Sequence, residues 1–347
     1  MNRTYGGVTL ISLFLLLLTT GCGNKTLSTR LAFDKVLPEK YNSPDGMTLG
    51  DDNCIYLSMN TVNNTNYPGR ILRITEDDQI EEVIDLLPHP ETGMASPMGL
   101  VFGPDGNLYV SDNQSFVTDG PGMSRLLRVV MEKGEALRCE VVAEGFNIAN
   151  GITLRDNSIY LAETDLKAGT PHKSGVYRLE LSELNPDNPV RVSGLGDPHL
   201  ITVLETKNEA LAVGANGIAF NSKGDLFVCN FGDAEVYKMK VDDQGVVTSK
   251  ELFARGGGME SVDGLQIDKE DMLWIADFIG NAVIKIMPGG RINIVAKNSP
   301  SDGKNGELDA PSECIRRGDK VYVSNIDLTF GPNTNDDIHT MSIIELK

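Results

Sequence analysis

One tetrapeptide returns along this chain at near-regular intervals and constrains the fold more than any other feature. It reads Pro44-Asp45-Gly46-Met47, Ala149-Asn150-Gly151-Ile152, Ala215-Asn216-Gly217-Ile218 and Val262-Asp263-Gly264-Leu265. Two degenerate copies, Pro97-Met98-Gly99-Leu100 and Pro311-Ser312-Glu313-Cys314, complete the series. The marker residues fall at 45, 98, 150, 216, 263 and 312, so successive copies lie 53, 52, 66, 47 and 49 residues apart. A period near ~50 residues with several short strands per unit is the signature of a β-propeller. Six units imply six blades.

Each marker opens a short apolar run, then a polar turn, then a second strand that also repeats. The second strands read Cys54-Ile55-Tyr56-Leu57-Ser58, Leu108-Tyr109-Val110-Ser111-Asp112, Ile159-Tyr160-Leu161-Ala162-Glu163, Leu226-Phe227-Val228-Cys229-Asn230, Leu273-Trp274-Ile275-Ala276-Asp277 and Val321-Tyr322-Val323-Ser324-Asn325. They are rich in β-branched and aromatic residues, as buried strands are. The turns before them, such as Pro104-Asp105-Gly106-Asn107, carry hairpin residues. No long amphipathic helix is expected. The predicted fold is all-β: a six-bladed β-propeller of four-stranded antiparallel blades. An N-terminal strand over 31–37 is expected to pair with a C-terminal strand over 340–346, closing the ring and removing a free edge.

Residues 1–21 resemble a lipoprotein-type signal peptide. Arg3 supplies the positive start, 10–18 an apolar stretch broken only by Ser12, and Thr19-Thr20-Gly21-Cys22 a small-residue cleavage site. Cys22 is the expected lipidation site, which would make the protein an exported bacterial lipoprotein anchored at the cell envelope by its N-terminal lipid. Residues 22–30 read as a polar tether and 31–347 as the propeller. The remaining cysteines, Cys54, Cys139, Cys229 and Cys314, lie far apart in or near apolar runs, and are expected as buried free thiols. The formal net charge of −18 argues against nucleic acid, because phosphate contacts need a surplus of Lys and Arg. A monomer is expected.

Equivalent side chains in the repeats of a ring converge on its axis. Asp45 and Asp263 would bring two carboxylates there, Asn150 and Asn216 two amide oxygens. Such a cage of hard oxygens suits calcium, which takes about 6–8 oxygen ligands. The glycine after each marker lets the backbone crowd the axis. None of the four histidines occupies a marker position, which argues against zinc. Asp-Gly and Asn-Gly are also turn dipeptides, and folding alone could retain them. The loops after the second strands should surround the site, with walls from blades 1, 2, 3 and 6 and a low rim from blades 4 and 5. Glu163 and Asp112, at second-strand ends, are candidate pocket acids or caps of the loops that follow.

The x-Asx-Gly-apolar markers of blades 1, 3, 4 and 5 resemble those of the gluconolactonase, regucalcin and luciferin-regenerating-enzyme family, with diisopropyl fluorophosphatase and the paraoxonases as more distant relatives. The resemblance spans nearly all of 40–330. It implies a catalytic calcium held by Asp45, Asn150, Asn216 and Asp263, and a hydrolase acting on a small-molecule lactone or ester. Two departures stand out. Asp45 is one methylene shorter than the Glu usual on blade 1, and Ile148-Ala149-Asn150-Gly151 lacks the Arg that sugar lactonases carry before the blade 3 ligand. Catalysis would place calcium as a Lewis acid on the carbonyl, with Asp263 as general base or as nucleophile. The competing expectation is a non-catalytic propeller binding a glycan or protein partner, since the texture of 104–112 is also that of NHL-type repeats and fold alone does not fix function.

Overall fold

The computed structural model describes residues 26–333 and 337–346. The signal segment 1–21 and Cys22 lie outside the described residues. Alternation of apolar residues in short runs, punctuated by Gly- and Asp-containing turns, yields strands almost throughout, and five three-residue 3-10 turns are the helical elements among the described residues.

Six sheets, each with four antiparallel strands, form the six blades, and that of blade 2 carries a fifth strand. The inner strand of each carries a marker: Pro44–Leu49, Pro97–Phe102, Ala149–Arg155, Ala215–Phe220, Leu265–Ile267 just after Asp263, and Pro311–Arg317. Each inner strand packs against the inner strands of both neighbouring blades, so the six enclose the axis. Around them sit the apolar clusters between blades, where Tyr109, Tyr160, Tyr177, Tyr322 and Trp274 are almost fully buried. Closure is circular. Thr29–Leu31 pairs antiparallel with Thr340–Glu345 and supplies the outer strand of blade 6. The closing strand thus starts two residues earlier than the sequence suggested, inside the expected tether, and is shorter. All four cysteines among the described residues are free, Cys54, Cys229 and Cys314 buried and Cys139 partly so.

One feature was not anticipated. The long step between the third and fourth markers is spent on a segment that leaves blade 3, and its Val190–Arg191 pairs parallel with Ala143 and Glu144 at the outer edge of blade 2. That edge is thereby covered.

A β-bulge interrupts pairing at the marker in five of the six blades: between Pro44 and Met47, Pro97 and Leu100, Ala149 and Ile152, Ala215 and Ile218, and Pro311 and Glu313. A bulge re-aims the side chain it carries. Opposite it the second strand presents a small residue, Ser58, Ser111, Ala162, Cys229 or Ser324, because the next blade is close. A Cβ added at Gly151 would stand 2.2 Å from the Asn216 carbonyl oxygen, and one at Gly217 2.4 Å from that of Asp263. Only glycine fits this approach.

Hydrogen bonds staple each blade to the next around the axis. The Ser58 hydroxyl donates to Met98 O at 2.6 Å, Ser111 to Asn150 O, and Thr164 to Ala215 O at 2.6 Å. The Gly217 N–H then donates to Asp263 O at 3.1 Å and the Gly264 N–H to Ser312 O at 2.8 Å. The Ser324 hydroxyl closes the circle on Asp45 O at 2.6 Å. Removing one such donor leaves a buried carbonyl unpaired. Ser324→Ala is therefore expected to lower stability by about 1–3 kcal/mol. Urea denaturation should register this against a near-neutral Thr248→Ala control, whose hydroxyl sits at an exposed 3.3 Å contact.

Candidate metal and active site

The four residues expected as oxygen ligands share one cavity. Asp45, Asn150, Asn216 and Asp263 line the floor of one cavity of about 350 Å3, together with Ser312 of the degenerate sixth marker. Asp45, Asn150 and Asn216 are 6%, 8% and 6% exposed, whereas Asp263 is more accessible. The same four residues also border a residual space of about 20 Å3 beneath them in the tunnel, enough for about one water.

The electrostatics of this ring are lopsided. Burial pushes the Asp45 carboxyl up to about 7, with the side chains of Ser312 and Asn60 opposing. Burial, reinforced by the carboxylates of Asp45 and Glu313, pushes Asp263 well above its ordinary value, with the Asn216 amide pulling the other way. Among the described residues, no lysine or arginine lines either space. The buried Asp45 carboxyl and the partly exposed Asp263 carboxyl thus share one cavity with no lysine or arginine beside them, an arrangement that calls for protons or for a bound cation.

The donor set fits a hard divalent ion. Asp45 Oδ2 is buried and has no hydrogen-bond partner. Asn150 donates through Nδ2 to the Thr164 hydroxyl at 3.2 Å, which leaves its carbonyl oxygen as the acceptor toward the ring. Two carboxylates balance a divalent charge and two amides add neutral oxygens. Among the described residues, no three His, Cys, Asp or Glu side chains stand at metal-binding spacing. A site here draws half its protein donors from asparagine.

Glu313 was missed by sequence reasoning. It occupies the place in the sixth marker where the others have glycine. Its carboxylate fills the gap that Gly264 leaves, 2.7 Å from where a Cβ there would lie. Burial pushes it up to about 8, against the Cys314 N–H and the Gln266 amide. It plugs the tunnel beneath the ring as a third acid. The signal was present as the one charged residue at a glycine position.

Glu163 and Asp112 are corrected. Neither lines the cavity. Glu163 accepts from the backbone N–H groups of Asn147, Ile148 and Asp165 at 2.8, 2.7 and 3.2 Å. Burial still pushes its carboxyl up to about 7. Asp112, fully buried, accepts from Ser96 N–H and Gln114 and pairs with Arg125 at 2.6 Å. Asp277 does the same for Glu260, Ser261 and Gly280. These second-strand acids tie down the backbone leading into the markers of blades 2, 3 and 5, and so position the ring rather than the substrate.

The cavity walls also differ from expectation. Blade 1 contributes Asp45 alone. Its long loop instead braces blade 6, where Asn63 Nδ2 donates to Ile326 O and Asp327 O at 3.2 and 2.9 Å. Blades 4 and 5, expected to be a low rim, supply Phe231 and Phe278 directly after their second strands. Short loops were read as low walls, but a phenylalanine as the first loop residue reaches the cavity without a long loop.

Residues 199–298 match a family model described as the SMP-30/Gluconolactonase/LRE-like region. No curated protein sequence matches. Among solved structures, a luciferin-regenerating enzyme superposes with a TM-score of 0.59 at 13% identity, covering 92% of this chain and 95% of that one. A gluconolactonase from Xanthomonas campestris gives 0.57 at 17%, covering 92% and 89%. A calcium-binding regucalcin from Agrobacterium tumefaciens gives 0.56 at 14%, covering 92% and 94%. At these identities the structural likeness shows the fold. The matched stretch spans blades 4 and 5 with the marker residues Asn216 and Asp263, and the resemblance drawn from the markers is thereby shown: over 199–298 the chain carries an SMP-30/gluconolactonase/LRE-like region.

Proposed function

We propose that this protein is a calcium-dependent hydrolase of a lactone or ester, working on the axial ring and admitting its substrate through the cavity above it. The observation that carries the reading is the pair of carboxylates, Asp45 and Asp263, held with two asparagines in one cavity that, among the described residues, no lysine or arginine lines. The matched family region and the enzymes among the similarly folded proteins support it, as does the calcium-binding relative.

Asp45, Asn150, Asn216 and Asp263 would hold the ion. When bound, calcium would supply Lewis-acid stabilisation of the negative charge that develops on the carbonyl oxygen. Asp263 is the ring carboxylate most accessible from the cavity. It takes a proton from water as a general base, or adds to the carbonyl as a nucleophile. Asp45 lies deeper and balances charge. Thr164 orients Asn150, and the largely apolar wall above excludes bulk water. Lipidation at Cys22 would set this site, as a monomer, on the exported side of the cell envelope.

Hydrolysis of a panel of lactones and aryl esters should require calcium and stop in chelator. Asp263→Ala should lower kcat/KM by roughly 10²–10⁴-fold. Undiminished turnover in chelator contradicts the reading. Tight ligand binding without turnover in any metal favours a non-catalytic module instead.

The ring also fixes a pH dependence. Asp45 and Glu313 rise in the folded state from 3.8 to about 7 and from 4.5 to about 8. Between about pH 5 and pH 8 the metal-free fold therefore keeps protons that the unfolded chain has released, and stability falls as pH rises. Carboxylates held low by ion pairs, such as Asp225 beside Lys240 and Lys238, contribute fully above their unfolded values and do not oppose this trend. His89, pushed down by burial, opposes it singly. The urea midpoint in chelator is expected to drop from pH 5 to pH 8, and calcium to reverse the drop. Calorimetry should show calcium binding tightening from pH 6 to pH 8, since ligands must lose protons to bind. A midpoint in chelator that climbs across this range contradicts the assignment.

A further inference from the structure

The two sides of the cavity are unlike. On the side of blades 4, 5 and 6, Phe231, Phe278 and Phe330 stand together. Their ring centroids lie 6.1, 6.3 and 6.0 Å apart and their planes are tilted by 53°, 50° and 58°. Val213, Ile326 and Leu328 back Phe231 and Phe278 in one apolar cluster. At the mouth, Phe330 from blade 6 and Phe116 from blade 2 are 40% and 38% exposed, and both line the same cavity. Two exposed aromatics flanking one opening are apolar surface that a ligand would cover.

The polar side is largely spoken for by the protein itself. Asn113 Oδ1 accepts the Ser115 N–H at 2.9 Å. The Thr164 hydroxyl donates to Ala215 O. Asp165 is held by the Lys167 N–H at 2.7 Å and its ammonium at 2.8 Å. His172 Nε2 meets Thr164 O at 2.8 Å. A polyhydroxylated substrate would press those of its hydroxyls that meet the phenylalanine wall against a surface with no polar partner, and each unpaired hydroxyl carries a penalty. An aromatic ring meets the opposite situation, because tilted rings offer edges and faces for edge-to-face contact. The volume of about 350 Å3 lies within the range of about 300–1,000 Å3 usual for small-molecule sites, so a small lactone carrying one phenyl group can be admitted.

We propose that the phenylalanine wall selects an aryl-substituted lactone or ester over a sugar lactone. The chemistry rests on the hydrolase reading above, but the choice of substrate rests on the cavity wall. The test uses three lactones of equal heavy-atom count: γ-phenyl-γ-butyrolactone, γ-decalactone and glucono-δ-lactone. With calcium present, kcat/KM is expected to fall in that order, with at least about a tenfold gap between the first and the last. Phe330→Ala, at the exposed rim, should cost the phenyl lactone roughly five- to tenfold and the sugar lactone nothing, at the scale of one aromatic contact. Phe278→Leu keeps apolar volume and should narrow the gap between the phenyl-bearing and hexyl-bearing lactones. Binding of the corresponding γ-phenyl lactam, which resists hydrolysis, is read by calorimetry in parallel. Lactam binding lost in Phe330→Ala, with no turnover of any lactone, upholds the aryl pocket and overturns the hydrolase reading. Calcium-dependent turnover that favours glucono-δ-lactone, or is indifferent to Phe330, overturns the aryl pocket and leaves the hydrolase reading standing.

Discussion

Like charges on Asp45 and Asp263 repel, and burial removes the water that would screen them. A group raised from 3.8 to about 7 opposes folding at neutral pH by on the order of a few kcal/mol, since one unit is about 1.4 kcal/mol. Against a net stability of about 5–15 kcal/mol, several such groups on one axis are a large debt for the metal-free fold. A divalent cation among them turns the same repulsion into attraction. The geometry that gathers the acids is the geometry that makes them bind.

That gathering depends on the inner strands approaching closely from all six blades. Bulges stand at the markers of Asp45, Asn150 and Asn216, glycines allow neighbouring backbones to touch, and hydroxyl or backbone donors bridge each blade to the next. Three of the six staples end on the carbonyls of Asp45, Asn150 and Asp263 themselves. Ring closure and ligand placement are thus one set of contacts. Outside them, Asp112, Glu163 and Asp277 grip the backbone leading into the markers. In those three blades the ring is held by the second strand as well as by its neighbours, which leaves the cavity walls free to vary.

The repeat made the fold legible, because a propeller imposes one strand pattern on every blade, and Asx at four of six equivalent positions stood out against it. The closing strand was visible in outline and misplaced by two residues, since a three-residue edge strand has little pattern of its own. Glu163 and Asp112 sat where a pocket acid could sit, but three N–H donors in one case and Arg125 in the other decide their role, and those partners are remote or backbone groups that sequence does not display. Phe231 and Phe278 escaped notice because loop length was taken as wall height. Glu313 escaped because it broke the repeat at a degenerate copy. The serines opposite the bulges were in plain view in the second-strand motif, yet their hydroxyls act across blades, which only the closed ring reveals.

The most direct test is crystallographic. Crystals grown with calcium, or with a lanthanide substitute for anomalous scattering, should show one ion on the axis within about 2.3–2.6 Å of oxygens from Asp45, Asn150, Asn216 and Asp263. A ring that binds no ion at saturating calcium, or an ion held elsewhere on the molecule, would contradict the account.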